Sequence, residues 1–260
     1  MKKIVAIGGG ENGRIGSDGT RYPYETAPMD KEIIRLTGKE KPNFLLIAHS
    51  QPLERQHGYF ETMERIYGDI YGCVCKELTS DILTDTQAAQ ALIDWADIIY
   101  EGGGDTITMV NMWHSTGFDK ILRTAWENGK VMCGVSAGAN CWFTACNTDS
   151  LKIQTGDDSA PMGSCDCLDF IPGYFVPHCD EPERIPSSKL ALKENGLTGF
   201  YISNCAAIAI VDDKYRLITS DGSYHNIAPY GRLAYWDNGT YTEKEISENS
   251  CYMPLSDIVR

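Results

Sequence analysis

Ser136 lies in the string Gly134-Val135-Ser136-Ala137-Gly138, after the apolar run 130–135 and before a helix-compatible stretch. A serine on a sharp strand-to-helix turn needs small neighbours, because the turn strains the backbone and brings adjacent segments close. Such a turn lifts the hydroxyl above a sheet and sets it at a helix N-terminus. There the Ala137 amide and the helix dipole can hold a developing oxyanion. The chemistry that follows is acyl transfer through a serine nucleophile, with a bystander serine in a glycine-lined turn as the plain alternative. A serine nucleophile requires a base, and there are five histidines. His178 is the best placed, since 175–178 ends an apolar run and the C-terminal ends of parallel strands face one crevice. His49 also ends an apolar run and is the second candidate. A further oxyanion donor is expected from Gly102-Gly103-Gly104-Asp105, at Gly103 or Gly104, where backbone can approach closely. Neither this triplet nor Gly8-Gly9-Gly10 forms a phosphate-loop pattern.

Short apolar runs at 4–7, 44–48, 69–75, 98–100 and 131–135 alternate with helical periods at 29–37, 53–67, 86–95, 107–114 and 118–128. That alternation predicts a doubly wound α/β sheet with strand ends at the site. Phe60, Met63 and Tyr67 recur at helical spacing and are expected to face the core. A helix is expected over 138–146, then a long surface connection over 147–173. Strands return at 174–178, 207–211, 216–219 and 233–236, with a helix over 187–195. The last three strands suggest an antiparallel extension of the same sheet. With no linker or repeat, residues 1–260 read as one domain.

Acidic side chains outnumber basic ones 36 to 23, and no basic run occurs, which excludes nucleic acid and anionic membrane as partners. No uninterrupted apolar stretch of about 18 residues is available to span a bilayer, and the N-terminal apolar run is too short for a signal peptide. The ten cysteines form no CxxC pair, and the two CxC pairs lack zinc-knuckle spacing. Free thiols in a reducing cytoplasm are therefore the expectation.

Gly102-Gly103-Gly104-Asp105-Thr106, then Ser136-Ala137-Gly138-Ala139-Asn140, then Pro177-His178 resemble the serine peptidases of family S51, which includes aspartyl dipeptidase and cyanophycinase. The resemblance implies a three-layer, mostly parallel fold like that of class I glutamine amidotransferases, with serine where those enzymes carry cysteine. It implies Ser136 as nucleophile, His178 as general base, and a third member carried over to Asp149 in Asn147-Thr148-Asp149. Where a relative has a glutamate, this chain has Asn204 or Cys205, so an amide stands in for a carboxylate, and Asn204 is expected in the substrate site. Arg184 resembles the family's arginine-bearing loop and is the candidate cation for an acidic substrate side chain. A small peptide is the expected substrate, with no cofactor and no metal, on a monomer or homodimer. Two other readings stand beside the serine exopeptidase. One is an α/β-hydrolase esterase using His225. The other is a binding protein whose triad has decayed.

Overall fold

The computed structural model describes residues 1–16 and 18–258. Residues Lys3–Ile7 form strand β1, and their alternation already sets the layers. Ile4 and Ala6 pack on one side of the sheet, while Val5 and Ile7 pack on the other. Strand and helix then alternate: α1 (Ala27–Thr37), β2 (Asn43–Leu46), α2 (Leu53–Glu64), β3 (Val74–Glu77), α3 (Thr86–Trp95), β4 (Ile98–Glu101), α4 (Thr106–Thr116), α5 (Phe118–Glu127) and β5 (Val131–Val135). The second half contains α6 (Ala137–Asn140), β6 (Phe143–Thr148), α7 (Ser150–Thr155), β7 (Gly163–Asp166), β8 (Ile171–Val176) and α8 (Arg184–Asn195). It ends with β9 (Gly199–Ile202), β10 (Ala206–Val211), β11 (Lys214–Thr219), β12 (Gly231–Asp237), β13 (Thr240–Ile246) and β14 (Met253–Pro254).

The first sheet runs β14-β11-β10-β1-β5-β4-β2-β3. Strands β1 to β5 are mutually parallel, and β10, β11 and β14 extend the edge antiparallel. One face of this sheet packs on α1 and α2 through Met29, Ile33, Phe60 and Met63, and Tyr67 joins them as its spacing predicts. The opposite face packs on α3, α4 and α5 through Ile93, Trp113 and Leu122, giving the expected three-layer α/β arrangement. A second sheet, β13-β12-β9-β8-β6-β7, joins that same apolar cluster through Phe143, Phe175 and Phe200. Its far side is covered by α8 through Leu192.

Several local expectations change. The helix expected over 138–146 stops at Asn140, and Phe143–Thr148 is a strand. This strand is covered on both sides, so its apolar residues run without a period that separates strand from helix. The connection expected over 147–173 holds α7, β7 and the start of β8. The strand expected over 69–75 begins at Val74, because a π-helical turn, Arg65–Ile70, prolongs α2. The three C-terminal strands do not share one sheet: β10 and β11 extend the first, whereas β12 pairs with β9 in the second. Among the described residues, no helix is long and apolar enough to cross a membrane.

Candidate active site

Three successive carbonyls at the end of β1 gather the site. Ser136 N–H donates to Ile7 O at 3.0 Å, His178 N–H to Gly8 O at 3.1 Å, and Cys205 N–H to Gly9 O at 3.0 Å. The loops after β5, β8 and β9 are therefore pinned side by side on one short seam. Its glycines are a steric requirement. A Cβ on Gly8 would overlap the carbonyls of Ile202 and Ser203, and one on Gly9 would overlap Asn204 Oδ1 and the His178 ring. Gly8-Gly9-Gly10 lacks a phosphate-loop pattern, and its structural task is this close approach.

Ser136 adopts φ +55° and ψ −115° at the strand-to-helix turn between β5 and α6. This left-handed backbone at a non-glycine residue is the strained elbow its neighbours predict. A Cβ on Gly134 would come within 2.5 Å of Glu101 O and Gly138 O, and one on Gly138 would overlap Glu101 O. The elbow therefore abuts the end of β4, and the two flanking glycines are what let it. The Glu101 side chain in turn accepts the N–H groups of His49 (3.2 Å) and Ser50 (3.0 Å), while burial pushes its carboxyl up to about 8.

His178 Nδ1 lies 2.7 Å from Asn204 Oδ1. Asn204 is itself held by Asp180: its backbone N–H donates to Oδ1 at 2.7 Å and its Nδ2 to Oδ2 at 2.9 Å. A carboxylate only accepts, so Asp180 turns the amide with Nδ2 toward itself and Oδ1 toward the imidazole. His178 Nδ1 then carries the hydrogen, and the Nε2 lone pair is left available as a base. Burial and the neighbouring Arg184 guanidinium both lower the His178 pKa from its ordinary 6.5, against the opposing pull of Glu181 and Asn204. A histidine so depressed is neutral at pH 7. As pH rises through this pKa the base form appears, so the acid limb of kcat/KM is expected below pH 6.5. A pH profile on a short peptide checks this, and a limb above pH 7 would contradict it.

Two expected residues are arranged differently. Asp149 does not stand behind His178; it accepts from Arg184 at 3.1 Å, and the group at His178 Nδ1 is Asn204. Arg184, expected to meet an acidic substrate, is only 3% exposed and is held between Asp149 and Glu181, each at 3.1 Å. With two carboxylates already on the guanidinium, a third has little charge left to attract it. Asn204, expected as a substrate contact, spends its side chain on His178 and Asp180. The glycine pair also separates. A Cβ on Gly103 would lie 3.4 Å from Ser136 Cβ, whereas one on Gly104 would overlap Ser50 O. Gly103 thus faces the serine. Its N–H donates to the Tyr59 hydroxyl at 3.3 Å, and burial pushes that phenol up to about 12, which keeps it a hydrogen-bond donor. His49, the second candidate base, is committed to the core: Nε2 meets Leu78 O at 2.7 Å and Nδ1 accepts from Trp113 at 2.8 Å.

A pocket of about 530 Å³ opens against Val135, His178, Asn204 and Tyr59. Its volume is in the range of small-ligand sites. Two arginines line it. Arg14 is neutralised by a fork onto both oxygens of Glu11, at 2.9 and 3.0 Å. Among the described residues, the exposed Arg55 side chain has no hydrogen bond or ion pair. Nothing in the local sequence singles out Arg55, while Asp180, two residues after His178, had proximity as an available signal.

The sequence family described as Peptidase family S51 matches residues 15–218. An uncharacterized peptidase of Bacillus subtilis (strain 168), YgaJ, is 30% identical over 221 residues, covering 82% of this chain and 85% of its own length. A second uncharacterized peptidase, PM1590 of Pasteurella multocida (strain Pm70), is 32% identical over 83 residues, which is 32% of this chain and 39% of that one. Among solved structures, a peptidase from an acI-B1 Actinobacterium superposes with a TM-score of 0.68 at 18% identity, covering 98% of this chain and 97% of its own.

Proposed function

This chain belongs to peptidase family S51, and from that premise we propose that it is a serine-type exopeptidase acting on short peptides through Ser136, His178 and Asn204. The observation that carries the reading is the seam on which Ile7, Gly8 and Gly9 hold the serine, histidine and asparagine segments together. His178 Nε2 takes the Ser136 proton as Oγ attacks the scissile carbonyl. The Ala137 amide and the Tyr59 hydroxyl, whose oxygen accepts from the Gly103 N–H at 3.3 Å and whose own hydrogen is left to donate, serve the developing oxyanion. The imidazolium then protonates the leaving amine, and water, activated by the same nitrogen, hydrolyses the acyl-enzyme. Asn204 keeps the ring in the productive tautomer, and Asp180 supplies the negative charge one residue further back.

The class of peptide follows from the pocket's charge. Arg55 is the cation free to meet a substrate carboxylate in a protein of formal net charge −13. Peptides with an acidic N-terminal residue are therefore the preferred substrates. The test is a hydrolysis panel of short peptides with aspartyl, asparaginyl or alanyl N-termini. Arg55→Ala is expected to raise KM for the aspartyl member about tenfold and to leave the alanyl member nearly unchanged, as loss of one charge-assisted contact implies. An equal loss across the panel would refute charge selection by Arg55. Absence of hydrolysis on every member would refute the exopeptidase reading.

A further inference from the structure

Beside the substrate pocket, three side chains from distant segments converge: Glu25 before α1, Cys205 in the turn between β9 and β10, and His225 in the loop between β11 and β12. One ligand atom of each, a carboxylate oxygen, the thiol sulfur and an imidazole nitrogen, lies within 4.8 Å of the other two. Glu25 Oε2 accepts from the Glu11 N–H at 2.9 Å and the Cys205 thiol is within reach of Glu25 and Ser220, but two atoms of the cluster are left without partners. The Glu25 side chain is 4% exposed, and its Oε1 is buried with no hydrogen bond among the described residues. His225 Nε2 lies 3.0 Å from Glu25 Oε2 yet makes no aligned hydrogen bond, and it too is buried. Cys205 is fully buried at φ +58°. Two unsatisfied buried polar atoms each cost free energy, and their facing one thiol is what a common electrophile would relieve.

We infer that Glu25, Cys205 and His225 form a zinc site in the wall of the substrate pocket. Sulfur, nitrogen and oxygen donors together suit Zn²⁺ rather than Mg²⁺ or Ca²⁺, which take oxygen shells. At bond lengths of about 2.0–2.3 Å, tetrahedral ligands sit about 3.3–3.7 Å apart, so closure needs atomic shifts of about 1 Å or less. On binding, the Cys205 S–H bond breaks, its proton leaves to solvent, and the sulfur–metal bond forms without any change of oxidation state. Three protein ligands leave one tetrahedral position for water or a substrate group, and His225 lines the same pocket as His178. The site ties together the Glu25 segment, the Cys205 turn and the His225 loop. It does not depend on the peptidase reading, because its readouts are metal binding alone.

The experiment titrates the full chain, freed of metal with a chelator, with Co²⁺ and then Zn²⁺. One equivalent of Co²⁺ is expected to produce a thiolate-to-cobalt charge-transfer band with the visible bands of a four-coordinate ion, and one equivalent of Zn²⁺ should abolish both. Cys205→Ser should lack the charge-transfer band. His225→Ala, in a partly exposed loop, should keep the fold and lose affinity at least about 100-fold, since even outer-shell changes cost 10–100-fold. The inference fails if no charge-transfer band forms at one equivalent. It also fails if the band persists with unchanged affinity in His225→Ala and Cys205→Ser, which would assign it to another thiol. Should Cys205→Ser not fold, the affinity of His225→Ala decides alone.

Discussion

Replacing Ser136 with alanine is expected to lower kcat/KM on short peptides by roughly 10⁴-fold or more, the scale at which triads lose function when one member is removed. The size of the effect follows from the arrangement. In the proposed mechanism the Oγ on the elbow forms the covalent bond, and no other hydroxyl shares the strained turn between β5 and α6. What survives the substitution is the binding pocket and the oxyanion donors, so residual turnover should come with a nearly unchanged KM. The fold should persist, because Ala at φ +55° carries the same backbone strain as Ser and removes one oxygen. Fluorophosphonate labelling gives an independent reading: one adduct on Ser136 in the parent protein and none in Ser136→Ala. Parent-like hydrolysis by Ser136→Ala would end the serine mechanism.

The second large effect concerns the amide where a carboxylate is customary. Asn204→Asp installs the more familiar acid beside His178, yet it is expected to lower kcat by about 10²–10⁴-fold. The reason is Asp180. In the parent protein the Asn204 amide donates to Asp180 Oδ2 at 2.9 Å, and an aspartate there would set two carboxylates against each other without a proton between them. One of the two must take up a proton or move away, and either response disturbs His178. Asp180→Asn alone should also fail, since the Asn204 amide loses the acceptor that fixes its orientation and can present Nδ2 to the imidazole. That turns His178 to the tautomer whose Nε2 is protonated and cannot act as a base. The double variant Asn204→Asp/Asp180→Asn exchanges the two groups and is expected to recover most of the activity. If Asn204→Asp alone were as active as the parent, the pairing with Asp180 would have no positioning role. The readout is kcat against KM together with the pH profile, where a purely structural loss would leave the position of the acid limb unmoved.

Much of the site was legible because its chemistry is encoded over a few residues. Ser136 could be picked from its glycines, since the elbow's backbone strain is a local demand and Gly134 and Gly138 answer it within the same turn. His178 could be picked from its place at the end of an apolar run. Parallel strands β1, β2, β4 and β5 were legible for the same reason, because buried runs of four or five residues alternate with helical periods, whereas the half-exposed β3 was placed too early. The second half was harder. Strand β6 is buried on both faces and has no period of its own, and β12 leaves the first sheet because the loop over 220–230 carries the chain to β9.

The sequence by itself determined the α/β alternation and, through an extended motif, the family, and it singled out Ser136 and His178 as the candidate nucleophile and base. These depend on neighbours in the chain or on strand ends that any doubly wound sheet brings to one edge. Only the tertiary structure decided the partners. Whether His178 meets Asp149 or Asn204, whether Arg184 is free or clamped between two carboxylates, and whether Arg55 reaches the pocket all depend on which loops converge after folding. Charge and hydrogen-bond pairing act over a few ångströms in space, and residues 26 or 35 positions apart in the chain acquire that proximity only when the two sheets are assembled.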